Sequence, residues 1–262
     1  MKVAIITGAT SGIGREAALL IDERFDSLDE IWIVGRNEEK LDELSELLRH
    51  SVRTFAMDLT KDTELDAFEA VVAKLNPNIR MLFNCAGAGL HGYFHEMNRL
   101  EETEMIRLNC ESLTTMTAIC IPYMRKGARI LQFASIAAFA PFPGYAVYGA
   151  TKAYVLNFSR AIRFELIKKG IVVTTVCPGP VNTNFFQNSE KYTGGVSSFK
   201  KKFMDSPNRV VRKALDDAGL CLPVSINSPI MEVGASVSKY TPVETFVTTL
   251  GLFDMLIWNG KK

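Results

Sequence analysis

Lys2–Gly14 reads KVAIITGATSGIG, and Arg15–Phe25, REAALLIDERF, follows directly. Lys2 to Thr7 is a short apolar run of the kind that forms a parallel strand buried on both faces. Gly8, Gly12 and Gly14 then punctuate a turn at G-x-x-x-G-x-G spacing, and the residues after it have helical character. Strand, glycine turn and helix are the parts of a dinucleotide site. The glycines let the backbone approach a pyrophosphate, and the helix N-terminus offers free N–H groups and a positive dipole end. Gly8, Thr10, Ser11, Gly12, Ile13 and Gly14 are the residues that would line such a cradle. The spacing is wider than G-x-G-x-x-G, and a tight βα turn needs glycine for its own sake. The loop therefore requires support from the rest of the chain.

A second strand, Ile31 to Val34, closes the first βαβ unit and ends in Val34-Gly35-Arg36-Asn37. A site for NAD places an acid here to take the ribose 2′-OH. This strand tip has no carboxylate, and Arg36 offers a planar fork of donors suited to a 2′-phosphate. The expectation is NADP(H), with Arg15 as a second cation. Beyond it the pattern predicts a helix over 37–49, a strand over 52–57 and a helix over 62–74. Asp58 and Leu59 lie between the last two. Asp58 sits where an acid can accept from an adenine amino group or cap the next helix. A strand over 81–83 leads into Asn84-Cys85-Ala86-Gly87, where small residues let a cofactor lie against the backbone. A helix over 100–124 carries Asn109 near its middle, a position where asparagine is locally unfavourable and signals a polar role. The apolar run ARILQFA precedes Ser135, and the strand Ile171 to Val176 precedes Pro178, Gly179, Val181 and Thr183. Strands and helices alternate throughout, so the fold class is α/β: a doubly wound parallel sheet of Rossmann type in three α/β/α layers. Gly8 to Gly14, Arg36, Asp58, Asn84, Ser135 and Pro178 all fall at strands' C-terminal ends, where such sheets bind ligands.

The chemistry concentrates in Ser135–Tyr154, SIAAFAPFPGYAVYGATKAY. A helix over 145–168 places Tyr148 and Lys152 one turn apart on one face. A free tyrosine ionises near pH ~10, and a neighbouring cation stabilises its phenolate. Lys152 is thus expected to lower the Tyr148 pKa and fit it for proton transfer to a substrate oxygen. Ser135 can aim its hydroxyl at the same oxygen.

Composition narrows the class. The chain has 262 residues, 47% hydrophobic and 23% charged, which suits one α/β domain with a full core. A net charge of +1 speaks against a nucleic-acid binder. Cys85, Cys110, Cys120, Cys177 and Cys221 form no C-x-x-C pair and read as reduced, buried thiols of a cytoplasmic protein. MKVAIITG is too soon broken by Gly8 for a signal peptide, and no apolar run is long enough for a membrane span.

Thr7-Gly8-x-x-x-Gly12-x-Gly14, Asn84-x-Ala86-Gly87, Asn109, Ser135, Tyr148-x-x-x-Lys152 and Pro178-Gly179 together resemble the short-chain dehydrogenase/reductase superfamily, in its single-domain branch. The stretch around Tyr148 is similar to a subgroup tied to ketoacyl reductases, hydroxysteroid dehydrogenases and DltE-like bacterial proteins. The resemblance implies that Tyr148 is the acid/base, that Lys152 lowers its pKa and holds the nicotinamide ribose, that Ser135 positions the carbonyl, and that Asn109 keeps a water relaying protons to Lys152. Cys85 departs from the family's second asparagine. The implied activity is NADPH-dependent reduction of a ketone or ketoacyl group. The rivals are a hydroxysteroid-type dehydrogenase, epimerisation on the same scaffold, and a non-enzymatic NADP(H)-binding regulator.

Past Thr183, residues 184–207 carry Phe185, Phe186, Tyr192, Phe199, Phe203 and Met204 around Gly194-Gly195, which suggests a lid. Phe142 and Phe185, with Ser135 and Tyr148, are the expected substrate contacts, for an apolar carbonyl compound. Lys200, Lys201 and Lys202 read as a solvated charge run. His91 and His95 read as pocket rim or surface, with no partners at metal spacing. Val243, Phe246, Val247, Leu250, Phe253 and Ile257 make an apolar stripe on a C-terminal helix over 241–258, begun by Pro242. The resemblance implies a homodimer or homotetramer.

Overall fold

The computed structural model describes residues 1–190, residue 192 and residues 204–259, with the backbone alone at 186–188, 239, 250 and 253–259. Seven strands form one parallel sheet: β1 (Lys2–Thr7), β2 (Glu30–Gly35), β3 (Ser51–Ala56), β4 (Asn78–Asn84), β5 (Met124–Phe133), β6 (Val172–Val176) and β7 (Val224–Ser225). Their order is β3-β2-β1-β4-β5-β6-β7. The order reverses between β1 and β4, so the loops leaving those two strands part and open a crevice at their C-terminal ends.

The helices are α1 (Gly12–Arg24), α2 (Glu38–Leu47), α3 (Asp62–Leu75), α4 (Arg99–Ile106), α5 (Ser112–Cys120), α6 (Ala146–Leu166), α7 (Asn184–Ser189), α8 (Pro207–Gly219), α9 (Pro229–Tyr240) and α10 (Val243–Asn259). Side chains alternate across a strand, so each strand feeds two cores. Ala4 and Ile6 of β1 pack with Ala17 and Ile21 of α1 and Val210 and Ala214 of α8. Val3 and Ile5 pack on the opposite face with Phe68 of α3, Met116 of α5 and Ile162 of α6. This double burial is why β1 is apolar at every position after Lys2. Edge strand β3 is partly exposed along its length, and its Phe55 stacks into Trp32 and Phe68 on one face.

The helix expected over 100–124 is interrupted. Between α4 and α5 the chain makes a π turn over Arg107–Glu111, and a 3₁₀ turn at Ile121–Tyr123, with Pro122, ends the helical run where β5 begins at Met124. The extra residue of a π turn re-aims a side chain out of the helical register, and here that side chain is Asn109. Tyr145 caps α6 rather than beginning it. Helix α10 is present as expected. Its Phe246 ring meets Phe142 edge-on at 6.3 Å, while Val243 is 52% exposed. Val247 is half-buried, and the stripe positions Leu250, Phe253 and Ile257 lie outside the described side chains.

Candidate active site

Gly8 leaves β1 at φ +67°, and a Cβ there would lie 2.9 Å from the Ala86 Cα and N. Only glycine accepts both that left-handed backbone and that approach. A Cβ on Gly14 would overlap the Gly8 carbonyl, so α1 begins hard against the loop, with its N-terminus at the crevice. The far wall is Thr183, whose Cγ2 would sit 3.0 Å from a Cβ on Gly12. Thr7 Oγ1 accepts from Ala86 N at 3.1 Å and ties the β1 and β4 loops together. Gly35 leaves room for Thr10, and exposed Arg36 stands beyond it. This glycine-floored groove, with helix N–H groups at one end and a cation at the other, fits a dinucleotide.

Some of the expected contacts are used otherwise. Asp58 does not cap α3, whose N-cap is Lys61. Its Oδ1 accepts from Thr60 N and Oγ1 at 3.0 and 2.8 Å. Burial pushes the Asp58 carboxyl up, but the Thr60 bonds and the Arg36 and Lys61 charges outweigh it and hold the group below its usual range. Leu59 is buried in the core on the α3 side. Asn84 is not open to the crevice through its side chain: it is 2% exposed, and Nδ2 donates to Thr117 Oγ1 at 3.0 Å and Gln132 Oε1 at 2.9 Å. It fastens β4 to α5 and β5. Pro178 accepts from Ile136 N at 3.0 Å, Gly179 lies under Met231 of α9, and Val181 bridges to Asp205.

Asn109, Ser135, Tyr148 and Lys152 converge from three segments. Asn109 Oδ1 accepts from Ala88 N at 2.9 Å, and its Nδ2 donates to Ala88 O at 2.8 Å and Thr151 Oγ1 at 3.0 Å. Thr151 Oγ1 in turn donates to Tyr148 O at 2.7 Å. Lys152 Nζ donates to Phe133 O at 2.9 Å. A Cβ on Gly87 would stand 3.1 Å from Asn109 Oδ1 and 3.3 Å from Lys152 Nζ, so Gly87 lies over both. Ser135 Oγ accepts from Ala137 N at 3.2 Å, and its hydroxyl draws the Tyr148 phenol's pKa downward.

The electrostatics correct one expectation. Lys152 Nζ is 5.8 Å from the Tyr148 ring centroid and gives one of its N–H groups to the Phe133 carbonyl. Burial dominates and pushes Tyr148 up to about 12, against a downward pull from the Ser135 bond. Burial also brings Lys152 down to about 8, with the Cys110, Cys177 and Cys85 thiols opposing it. At neutral pH the tyrosine is a protonated phenol, which is the form that donates.

The aromatic wall is Phe185 of α7, its ring 5.7 Å from that of Tyr148 and pressed against Gly89. Phe142 meets α10 through Phe246, and Gly251 of α10 lies by Pro143. His91 is neither rim nor surface: it is buried against Glu190 and stacks on Tyr145. Its glycine-rich setting hid this, because the partner is 99 residues away. Tyr145 and Glu190 carry no local signal either. His95 is exposed. Of the expected buried thiols, Cys120 and Cys177 are buried, Cys85 and Cys110 are half-buried, and Cys221 is exposed, at φ 57°. Phe186 has no described side chain, and Gly194, Gly195, Phe199, Lys200, Lys201, Lys202 and Phe203 lie outside the described residues. Among the described residues there is no cluster of three or more metal-ligating side chains and no helix long and apolar enough to cross a membrane.

Residues 2–193 match the short chain dehydrogenase family, and the chain belongs to it. Sulfoacetaldehyde reductase of Chromohalobacter salexigens is 36% identical over 187 residues, covering 69% of this chain and 72% of the relative. The very-long-chain 3-oxoacyl-CoA reductase of Bos taurus is 31% identical over 251 residues, 91% of this chain and 75% of the relative. A short-chain dehydrogenase from Sphingobium yanoikuyae, solved in complex with NADPH, superposes with a TM-score of 0.76 at 28% identity, covering 87% of this chain and 88% of that one. The protein is therefore an oxidoreductase of the short-chain type, from a family that binds nicotinamide cofactors and acts between CH–OH and C=O.

Proposed function

We propose that the chain is an NADP(H)-dependent carbonyl reductase that reduces a largely apolar ketone or ketoacyl group, reversibly, to the alcohol. The observation that carries the reading is the meeting of Asn109, Ser135, Tyr148 and Lys152, with the Tyr148 phenol on the helix that also carries Lys152 and its pKa pushed up by burial to about 12. Ser135 holds the carbonyl oxygen. Tyr148 gives that oxygen a proton, and its high pKa keeps the proton in place until a developing alkoxide takes it. Lys152, at about 8, is still mostly charged at neutral pH and stabilises the phenolate left behind. Lys152 then passes a proton to that phenolate, and a water kept beside Asn109, which holds the Ala88 backbone next to this pair, returns a proton to Lys152. Gly8, Thr10, Ser11, Gly12, Ile13, Gly14, Asp58, Leu59, Asn84, Ala86, Gly87, Pro178, Gly179, Val181 and Thr183 form the cofactor groove, Leu59 through its backbone and Asn84 by bracing the β4 loop. The bound cofactor supplies the hydride.

Arg36 supports the phosphorylated cofactor, since Gly35 leaves no acid at the strand tip. NADPH is expected to bind at least tenfold tighter than NADH, about 1.4 kcal/mol, and Arg36→Ala to erase most of that gap in a fluorescence titration. Equal affinities in the unaltered protein refute this part.

Phe185 and Phe142 at the mouth support an apolar substrate, with 184–207 as its lid and α10 closing over the Phe142 loop. Each added CH₂ contributes about 0.8 kcal/mol, roughly fourfold in kcat/KM, until the pocket fills. NADPH oxidation measured on ketones and ketoacyl thioesters of increasing chain length tests this, and preference for small polar keto compounds overturns it. Exposed Leu100 and Ile106 on α4, Tyr154 and Phe164 on α6 and Ile167 just beyond it support a homodimer or homotetramer. A cytoplasmic setting accords with the unpaired thiols.

A further inference from the structure

Three distant chain segments meet in a buried polar cluster beside the Tyr148 ring. His91, 6% exposed, bonds through Nδ1 to Glu190 Oε2 at 2.7 Å, and Glu190 is 2% exposed. The Tyr145 hydroxyl donates to the other carboxylate oxygen, Oε1, at 3.0 Å. The His91 and Tyr145 rings stack in near-parallel planes, 5° apart at 4.3 Å. Two backbone bonds frame the cluster, His91 N to Ser189 O at 2.8 Å and Gly92 N to Gly144 O at 2.9 Å. Gly144, at φ +76°, leaves the space His91 Nε2 fills.

A buried carboxylate is tolerated only when both its oxygens are engaged, and here each oxygen binds a different segment. Glu190 directly follows α7, which carries Phe185. Tyr145 is the N-cap of α6, which carries Tyr148. The Tyr148 ring stands 5.8 Å from Tyr145 and 5.7 Å from Phe185. One carboxylate thus bonds one of the two rings that flank Tyr148 and directly follows the helix that carries the other. A second tie lies nearby, where the Tyr192 hydroxyl donates to Glu101 Oε2 at 2.6 Å and accepts from Asn98 N at 3.1 Å. These bonds join the side chains to one another and to the start of α4, and none of them runs to Gly8, Gly12 or Gly14.

We propose that His91, Glu190 and Tyr145 form a buried clamp that positions α7 against the head of α6 and so fixes the substrate side of the cleft. They are positioning residues; the clamp's effect on catalysis rests on the reading of Tyr148 as the reacting group. Because they stand on the substrate side, breaking the clamp widens the cleft without loosening the cofactor.

The test uses full-length His91→Ala, Glu190→Ala, Glu190→Gln, Tyr145→Phe and the double variant of His91→Ala with Glu190→Ala. Amide hydrogen exchange over residues 184–190 is expected to quicken at least tenfold in either alanine variant. The double variant should exchange no faster than the faster single one, as partners in one unit do. Glu190→Gln, which keeps the volume and an acceptor for Tyr145, should lie between. With the best ketone of the unaltered enzyme, KM should rise at least tenfold in Glu190→Ala, with kcat within threefold and NADPH affinity within twofold. If the alanine variants do not fold, Tyr145→Phe, which removes one hydroxyl, carries both readings with a threefold effect. Unchanged exchange in Glu190→Ala or Tyr145→Phe overturns the clamp, as do additive alanine effects or a loss confined to kcat. If the unaltered protein reduces no ketone, the proposed function fails while the exchange measurement still decides the clamp.

Discussion

Replacing Asn109 by alanine tests the centre of the site without knowledge of a substrate. Asn109 is fully buried and makes three hydrogen bonds, to Ala88 N, Ala88 O and Thr151 Oγ1. Alanine removes all three. A buried polar group left unpaired costs about 1–3 kcal/mol. Ala88 is only half-buried, so water recovers part of its share, and the low end applies to its N–H and C=O. Thr151 keeps its bond to Tyr148 O and adds a similar amount. The sum is about 3 kcal/mol, and at about 2–4 °C per kcal/mol for a chain of this size Tm should fall by roughly 6–12 °C. Differential scanning calorimetry on the two proteins measures this. Asn98→Ala, which removes only an exposed cap on Leu100 N, serves as a comparator worth about 1 kcal/mol. A Tm for Asn109→Ala within 2 °C of the parent, or no lower than that of Asn98→Ala, refutes the reasoning that the π turn exists to present Asn109 to Ala88.

Tyr148→Phe keeps the ring and removes the proton donor, so turnover with any accepted ketone should fall by at least ~10²-fold while cofactor affinity holds, and normal turnover would show that another group gives the proton. Lys152 carries a pH signature: its pKa is about 8 in the fold against ~10.4 unfolded, so between those values the unfolded chain binds more protons and stability rises with pH. Urea unfolding of the parent and Lys152→Met at pH 7 and pH 10 should show the parent gaining on the variant at the higher pH by roughly 2–3 kcal/mol, and a constant difference excludes the buried ammonium. Light scattering at micromolar concentration should give a multiple of the 29.1 kDa chain, and the mass of one chain rules out the oligomer.

The order of elements was legible because each carries a local signature. An unbroken apolar run such as KVAIIT has to be buried on both faces, and the glycines after it mark a tight strand-to-helix turn. Tyr148 and Lys152 were legible as a pair because i, i+4 spacing is a property of the helix itself. What lay beyond local reading depended on distance. Asn109 was marked as polar, but the π turn that aims it and the Ala88 backbone that receives it appear only when α4 and α5 pack against the β4 loop. The Tyr148 pKa could not follow from spacing, because its sign is set by burial and by where the Lys152 ammonium finds a carbonyl, and Phe133 is brought there by β5. His91 and Glu190 give no signal in one dimension: 99 residues separate them, and only the closed fold makes a buried carboxylate need that histidine. The sequence by itself determined the strand and helix pattern, the glycine turn and the residues proposed as the catalytic set. The tertiary structure decided their protonation and their partners, because desolvation and hydrogen bonding belong to the packed chain and not to its spacing.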